Sequence, residues 1–437
     1  NSIMQRVVLF LKNIEPGEPK SLALSQNPLH FRFLLYIHAT VMTVKLLKSL
    51  SSVLEPDLGR DTLLTLAYRA NDSTSDVEDA YLDGKIKALC NAALDASEES
   101  DIEAALALLK DEPGTIYDDF LSLAEGCAES YTDKDGIHLL ILLPILAWSR
   151  YVIVCGKMPD AVALKVASLY RLYFAGPESR VTVGNTLICP EHIPERLLEV
   201  RQLLKTLSSA KEKTALVDTS YLLTESPVPD FSDTRYIALS VTAPDASCLF
   251  VDSLIDHIEL SHRFMEFSLK VREALRSFTT GSVIDVQYPA AFFAAWRQTA
   301  LAMRVFALKA LVQYVCVGSL TPDALIATTA VFSLGEENGQ GPQPEIRIGI
   351  SLKSKPNAVV AGVVWPCEVP ELESTQDFAG QILFSQGVKS IVSHDVRFPL
   401  EWCEHCGAPL YANPEGFVTH IENPDEESAG PFAPTLN

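Results

Sequence analysis

Positive charge is scarce in this chain. Its 437 residues carry 35 Lys and Arg against 56 Asp and Glu, a net charge of −21. A field of that sign repels phosphate backbones and anionic headgroups, so nucleic-acid and membrane-surface binding are not expected. Aromatic residues do not alternate with basic ones, which removes the stacking platform that single-stranded nucleic acid would need. Long hydrophobic runs are lacking too. The longest, Ile137 to Trp148, is interrupted by His138 and Pro144 and falls well short of the ~20 residues a membrane helix requires. The first residues have one early arginine and only a short apolar stretch, so no secretory leader is expected. Several signatures of common chemistry are missing: Gly-x-x-x-x-Gly-Lys-Ser/Thr for phosphates, Gly-x-Ser-x-Gly for acyl transfer and His-Glu-x-x-His for metalloproteolysis.

What is present is the composition of a folded globular chain, 48% apolar and 21% charged, long enough for two or three domains. Nine cysteines lie at 90, 127, 155, 189, 248, 316, 367, 403 and 406. Their odd number and mostly apolar settings predict reduced thiols and a cytoplasmic location.

The chain divides by texture. Residues 1–41 are basic and read as a peripheral extension. Residues 42–136 are acidic and helical, with apolar positions three and four apart in Val77–Cys90 and Asp101–Lys110. From Ile137 short β-rich runs take over, and an internal repeat emerges. Arg235–Val241 is similar to Glu345–Leu352. Each is followed by a second apolar run (Cys248–Asp252, Ala358–Trp365), a helical segment (Leu254–Phe278, Leu372–Phe384) and a closing strand that ends in aromatic-proline, Tyr288-Pro289 and Phe398-Pro399. A fainter copy upstream comprises Leu139–Leu143, Tyr151–Cys155, a helix over 160–174 and a strand from Arg180. The expectation is an α+β (α/β) architecture of β-β-α-β modules over 137–234, 235–335 and 345–402. Long helices follow the first two modules, at 194–208 and 290–316. A polar linker covers 336–344 and a disordered tail 423–437.

Where a third such helix would begin stands Cys403-Glu404-His405-Cys406-Gly407-Ala408-Pro409-Leu410. Two thiols two residues apart, followed by glycine, form the turn that aims both sulfurs at one metal ion. Cys403 and Cys406 supply half of a tetrahedral zinc site. His420 is the best third ligand, with Cys367, His394 and His405 as alternatives, and a second chain across a symmetric interface could complete the set. A knuckle that has lost its metal and a redox dithiol are the competing readings. Gly407 and Pro409 break the helix that a thioredoxin-like dithiol would cap.

The run Arg397–Gly416 resembles the end of a bacterial family catalogued only as a domain of unknown function. Leu143–Tyr151 and the acidic helices around 82–130 are similar to the same family, so the likeness covers roughly residues 60–425. It implies a cytoplasmic bacterial protein and supplies no activity.

Other candidates are weaker. Glu259-Leu-Ser-His262 has the spacing of a di-iron pair but no second copy. Trp148, Trp296, Trp365 and Trp402 each sit in an apolar run and read as core. The leading expectation is a structural or interaction protein whose knuckle, residues 403–422, binds zinc at its C-terminus, in one chain or in a homo-oligomer. The alternative is an enzyme with its pocket between modules, using Asp285, His394, Asp395 and Arg397 on the closing strands.

Overall fold

The computed structural model describes residues 58–149, 153–223, 232–251, 256–317, 320–334, 343–367, 372–404 and 407–421. The expected extension over 1–41, most of the linker and the tail lie outside them. The chain divides into two units at Thr62–Leu63, and every sheet among the described residues belongs to the second.

Among the described residues, four helices come first: α1 (Leu58–Asp72), α2 (Asp76–Asp95), α3 (Ser100–Leu109) and α4 (Ile116–Glu129). The spacing of α2 explains its packing. Leu82, Ile86, Cys90 and Leu94 recur every four residues and all are buried, one stripe of a 3.6-residue helix. A hairpin of β1 (Ser130–Asp133) and β2 (Gly136–Ser149) leads into the first sheet. Then come β3 (Gly156–Lys157), α5 (Asp160–Tyr173), β4 (Arg180–Gly184), β5 (Thr186–Leu187), α6 (Leu197–Ser208), β6 (Thr214–Val217) and β7 (Ser232–Ala243). Next are α7 (His257–Leu275), β8 (Ser282–Val286), β9 (Ala290–Ala291) and α8 (Phe292–Val315).

The first sheet runs β1-β2-β7-β4-β6, with β8 and β9 on the outer side of β2. Its centre is the antiparallel pair β2 and β7. Each of these strands is followed by a helix, α5 or α7, and then by a strand that pairs with the other one: β4 with β7, β8 with β2. Alternation decides what each face buries. Leu140, Leu142, Tyr236 and Ala238 face helices α1–α4 and α6. Ile141, Leu143, Ile145, Ile237, Leu239 and Val241 face α5 and α7. A strand covered on both faces reads as an unbroken apolar run, which is why Leu139–Leu143 is the middle of one long strand. The described parts of the runs expected as second strands of the first two modules are not strands. Residues 151–152 lie outside the described set and 153–155 are irregular, while Ala246–Cys248 is a 3₁₀ turn and Phe250 makes a single bridge to Ala175.

Pro144 is tolerated inside this central strand for a local reason. Its partner Tyr236 turns its own N–H and C=O toward Ile188. Pro144 therefore presents its backbone to the gap between β8 and β9, where its carbonyl accepts the Gln287 N–H at 2.9 Å and no donor is needed.

Helix α8 joins two cores. Phe292, Phe293 and Ala295 belong to the first, and Leu308, Leu311 and Val312 to that of a second sheet. The second sheet contains β10 (Leu325–Phe332), β11 (Glu345–Leu352), β12 (Lys355–Pro366) and β13 (Ser390–Phe398), in the order β12-β11-β10-β13, with α9 (Leu372–Ser385) between β12 and β13. Only β13 runs parallel to its neighbour. Ile346, Ile348 and Ile350 face α8 and α9. The other face is covered by residues from 400–404 and 407–421, including β14 (Tyr411–Ala412) and β15 (Val418–Thr419). The whole is mixed helix and sheet, an α+β chain, and no helix among the described residues is long and apolar enough to cross a membrane.

Candidate functional site

The C-terminal segment is seated on the second sheet by three devices. Gly349 and Gly362 stand opposite each other on β11 and β12 and leave a slot for the Tyr411 ring. A Cβ at 362 would lie 2.4 Å from Tyr411 Cε1, so the slot exists only with glycine there. Asn413 organises the following turn, its Oδ1 accepting the N–H groups of Glu415 at 3.0 Å and Phe417 at 2.9 Å. The third device is Arg347, 1% exposed between Ile346 and Ile348. Its Nη1 donates to the carbonyls of Glu401 at 2.6 Å and Leu410 at 2.7 Å, and its Nε to Glu345 at 2.8 Å. The guanidinium lies 4.4 Å from the Phe332 ring and 5.3 Å from that of Trp402. A planar group with a fixed fork of donors can hold two chain stems at once.

Those stems flank the cysteine turn. Trp402 and Pro409 form an antiparallel bridge, Cys403 N–H donates to Ala408 O at 2.7 Å, and Gly407 N–H donates to Cys403 O at 2.8 Å. Gly407 has φ 72°, a left-handed conformation that glycine adopts without cost. The chain thus doubles back within six residues from a half-buried Cys403. Cys406 and His405 lie outside the described residues. His420 is exposed, and its Nδ1–H donates to Ile421 O at 2.7 Å, the tautomer that puts the ring lone pair on Nε2. Among the described residues no group of three His, Cys, Asp or Glu stands together as a metal site.

The alternative ligands and the enzymatic candidates are dispersed. Cys367 is buried in the core beneath α9, its thiol donating to Thr375 Oγ1 at 3.4 Å. His394 faces the terminal segment, its Nε2–H donating to Asn413 O at 2.9 Å. Asp395 and Arg397 are exposed beside it. All three lie where four residues of β13 span two of β10, a bulge. Gln376 of α9 spans the gap, donating to Thr329 O at 3.1 Å and to His394 O at 3.4 Å. Asp285 belongs to the other sheet, opposite Leu146, and accepts from Gln287 Nε2 at 3.0 Å.

A second constellation escaped the sequence reading. An open cavity of about 630 Å³ is lined by Lys87, Asn91, Asp95, Cys127, Tyr131 and Arg201 among others. Arg201 is buried, its Nη1 donating to the carbonyls of Cys127 at 2.8 Å and Ser130 at 2.7 Å. Its Nη2 donates to Asn91 Oδ1 at 3.1 Å and Asp95 Oδ1 at 3.0 Å. Burial would raise the Asp95 carboxyl, but hydrogen bonds from Lys205 and Arg201 outweigh it and hold it below the usual range. The guanidinium lies 4.5 Å over the Tyr131 ring, which stacks on His138 at 4.3 Å. His138 in turn is bonded to Asp133 Oδ1 and Thr242 Oγ1, both at 2.9 Å. A signal for Arg201 was present: it sits four residues after Leu197 and three before Leu204, on the apolar face of α6. Arg347, between two isoleucines of an alternating strand, carried a weaker one.

Elsewhere, Cys189 lies 3.0 Å from His192 Nδ1. Burial first, then the Glu191 carboxyl, pushes its thiol up to about 12, so it is a buried donor and not a nucleophile.

Compared with known proteins, residues 50–433 match the profile of a family described as "Protein of unknown function (DUF2863)". No curated protein and no solved structure matches.

Proposed function

The chain belongs to the DUF2863 family of proteins of unknown function, and on that premise we propose a structural role: a cytoplasmic interaction protein whose C-terminal turn binds zinc through Cys403, Cys406 and His420. The second sheet serves as its scaffold. One observation carries this reading, the clamp that Arg347 places on both stems of the cysteine turn. A buried cation spent on two backbone carbonyls pre-organises that turn, and pre-organisation of this kind lowers the ordering cost of binding an ion. Two thiolates at ~2.3 Å and an imidazole nitrogen give three protein ligands, and a second copy of the chain is the source proposed for the fourth. The ion then staples the segment that covers one face of the second sheet.

Elemental analysis of the full chain, purified without chelator, tests this against the variants Cys403→Ser and His420→Ala. The expected result is one zinc per chain, or one per two chains if the site is shared, with loss in Cys403→Ser. Zinc well below one per two chains in every sample refutes it.

A further inference from the structure

Strand β13 is one rim of the second sheet. It pairs with β10, and among the described residues no strand lies along its other side. In a regular strand alternate residues turn inward. Here Asp395, Val396 and Arg397 are exposed in succession, because β13 bulges between its pairings with Thr329 and Val331. The bulge pushes a triplet out of the sheet edge with an apolar residue at its centre, and Val396 is 67% exposed. Asp395 and Arg397 carry opposite charges. Among the described residues neither side chain has an ion-pair or hydrogen-bond partner, not even the other. Bulges and charges commonly guard a sheet edge against pairing. Guarding calls neither for an exposed valine between the charges nor for opposite signs.

We propose that this triplet is the centre of an isologous interface between two copies of the chain. A two-fold axis through Val396 sets that residue against its own counterpart. It places Asp395 opposite the partner subunit's Arg397, and does so twice. The signs select this arrangement: a parallel one would set Asp on Asp and Arg on Arg, which repel. Each chain carries a net charge of −21, so two copies repel at a distance. Contact between them needs local attraction, and a balanced Asp-Val-Arg triplet supplies it.

One triplet is too small for a stable interface, which buries about 800 Å² per partner. The surface around it adds apolar area. Phe417 is exposed, next to Gly416, where a Cβ would stand 3.6 Å from His394 Cε1. Leu334 is exposed just past the end of β10, where the Ser333 N–H donates to Phe398 O at 2.9 Å. The interface uses none of the proposed zinc ligands, so it stands whether or not the cysteine turn holds metal.

Sedimentation velocity of the full chain over a range of micromolar concentrations, with and without chelator, tests the proposal. The expected species has twice the 47.9 kDa of one chain in both conditions. Asp395→Arg and Arg397→Asp each set like charges against one another, and each is expected to raise the dissociation constant about tenfold or more. The double variant Asp395→Arg/Arg397→Asp recreates the opposite pairing and is expected to restore the dimer. A second measurement needs no charge reversal. Val396→Cys brings two thiols together at the axis, and mild oxidation is expected to join two copies of tryptic peptide 390–397, cut after Lys389 and Arg397. A monomer throughout the range overturns the proposal. So does a dimer that the single reversals leave intact, or one that the double variant fails to restore. Peptides 390–397 that stay apart while the chain is dimeric overturn the axis at Val396. A dimer that chelator dissolves overturns the proposal in favour of association through metal. One that persists in a chain free of zinc supports the interface independently of the zinc reading.

Discussion

Glu129 should make this protein less stable as the pH rises toward neutrality. It is the last residue of α4, and its carboxylate accepts the Phe293 N–H at 3.0 Å, capping the first turn of α8. Burial pushes the Glu129 carboxyl up to about 7; the Phe293 bond works against this, and the neighbouring Glu125 reinforces it. Glu125 is itself held by Arg297, whose Nη1 reaches both its oxygens at 2.7 Å. The folded value lies above the ordinary 4.5, so between these limits the folded chain binds more protons than the unfolded one. The stability this group contributes is therefore complete below pH 4.5 and lost as pH rises through 7. A rise from 4.5 to about 7 corresponds to about 3 kcal/mol, at roughly 1.4 kcal/mol per pH unit. Glu129→Gln keeps an acceptor for Phe293 and removes the charge. Denaturant unfolding of both proteins from pH 4.5 to 8.5 should give equal stability at the acid end and a gain of up to about 3 kcal/mol for the variant at pH 8. A difference that does not change with pH, or a less stable variant at pH 8, would show that Glu129 is not the group that titrates.

Three other substitutions probe the packing. Gly362→Ala forces the Tyr411 ring out of its slot and should cost about 1–3 kcal/mol, with less than additive loss when combined with Tyr411→Ala, as a double-mutant cycle would read. Arg347→Met leaves the Glu401 and Leu410 carbonyls and the Glu345 carboxylate without their donor; a loss of about 3 kcal/mol or more is expected, with new proteolytic cleavage between residues 399 and 421. Arg201→Leu strips donors from the carbonyls of Cys127 and Ser130 and should cost a similar amount, about 3 kcal/mol, seen as a lower thermal midpoint.

What the amino-acid sequence revealed of this fold depended on how local each feature was. Helices α2 and α3 announced themselves by period, and the arrangement β11-β12-α9-β13 was legible because the strands alternate and the breaks are sharp. The centre of the first sheet was harder. A strand buried on both faces loses its alternation, so Leu139–Leu143 looked like a short strand of its own, and Pro144 disguised its continuation. The turn at Cys403 was visible because its residues are consecutive. Its anchoring was not: Arg347 lies more than fifty residues away in sequence, and the Gly349–Gly362 slot exists only once β11 and β12 are in register.

Zinc-edge X-ray absorption on the full chain, isolated without chelator, tests the proposed function most directly. The expected spectrum has two sulfur ligands at ~2.3 Å and nitrogen at ~2.0–2.1 Å, with the zinc lost in Cys403→Ser. A chain that carries no zinc, or zinc bound by oxygen and nitrogen alone, contradicts a metal-stapled turn at Cys403.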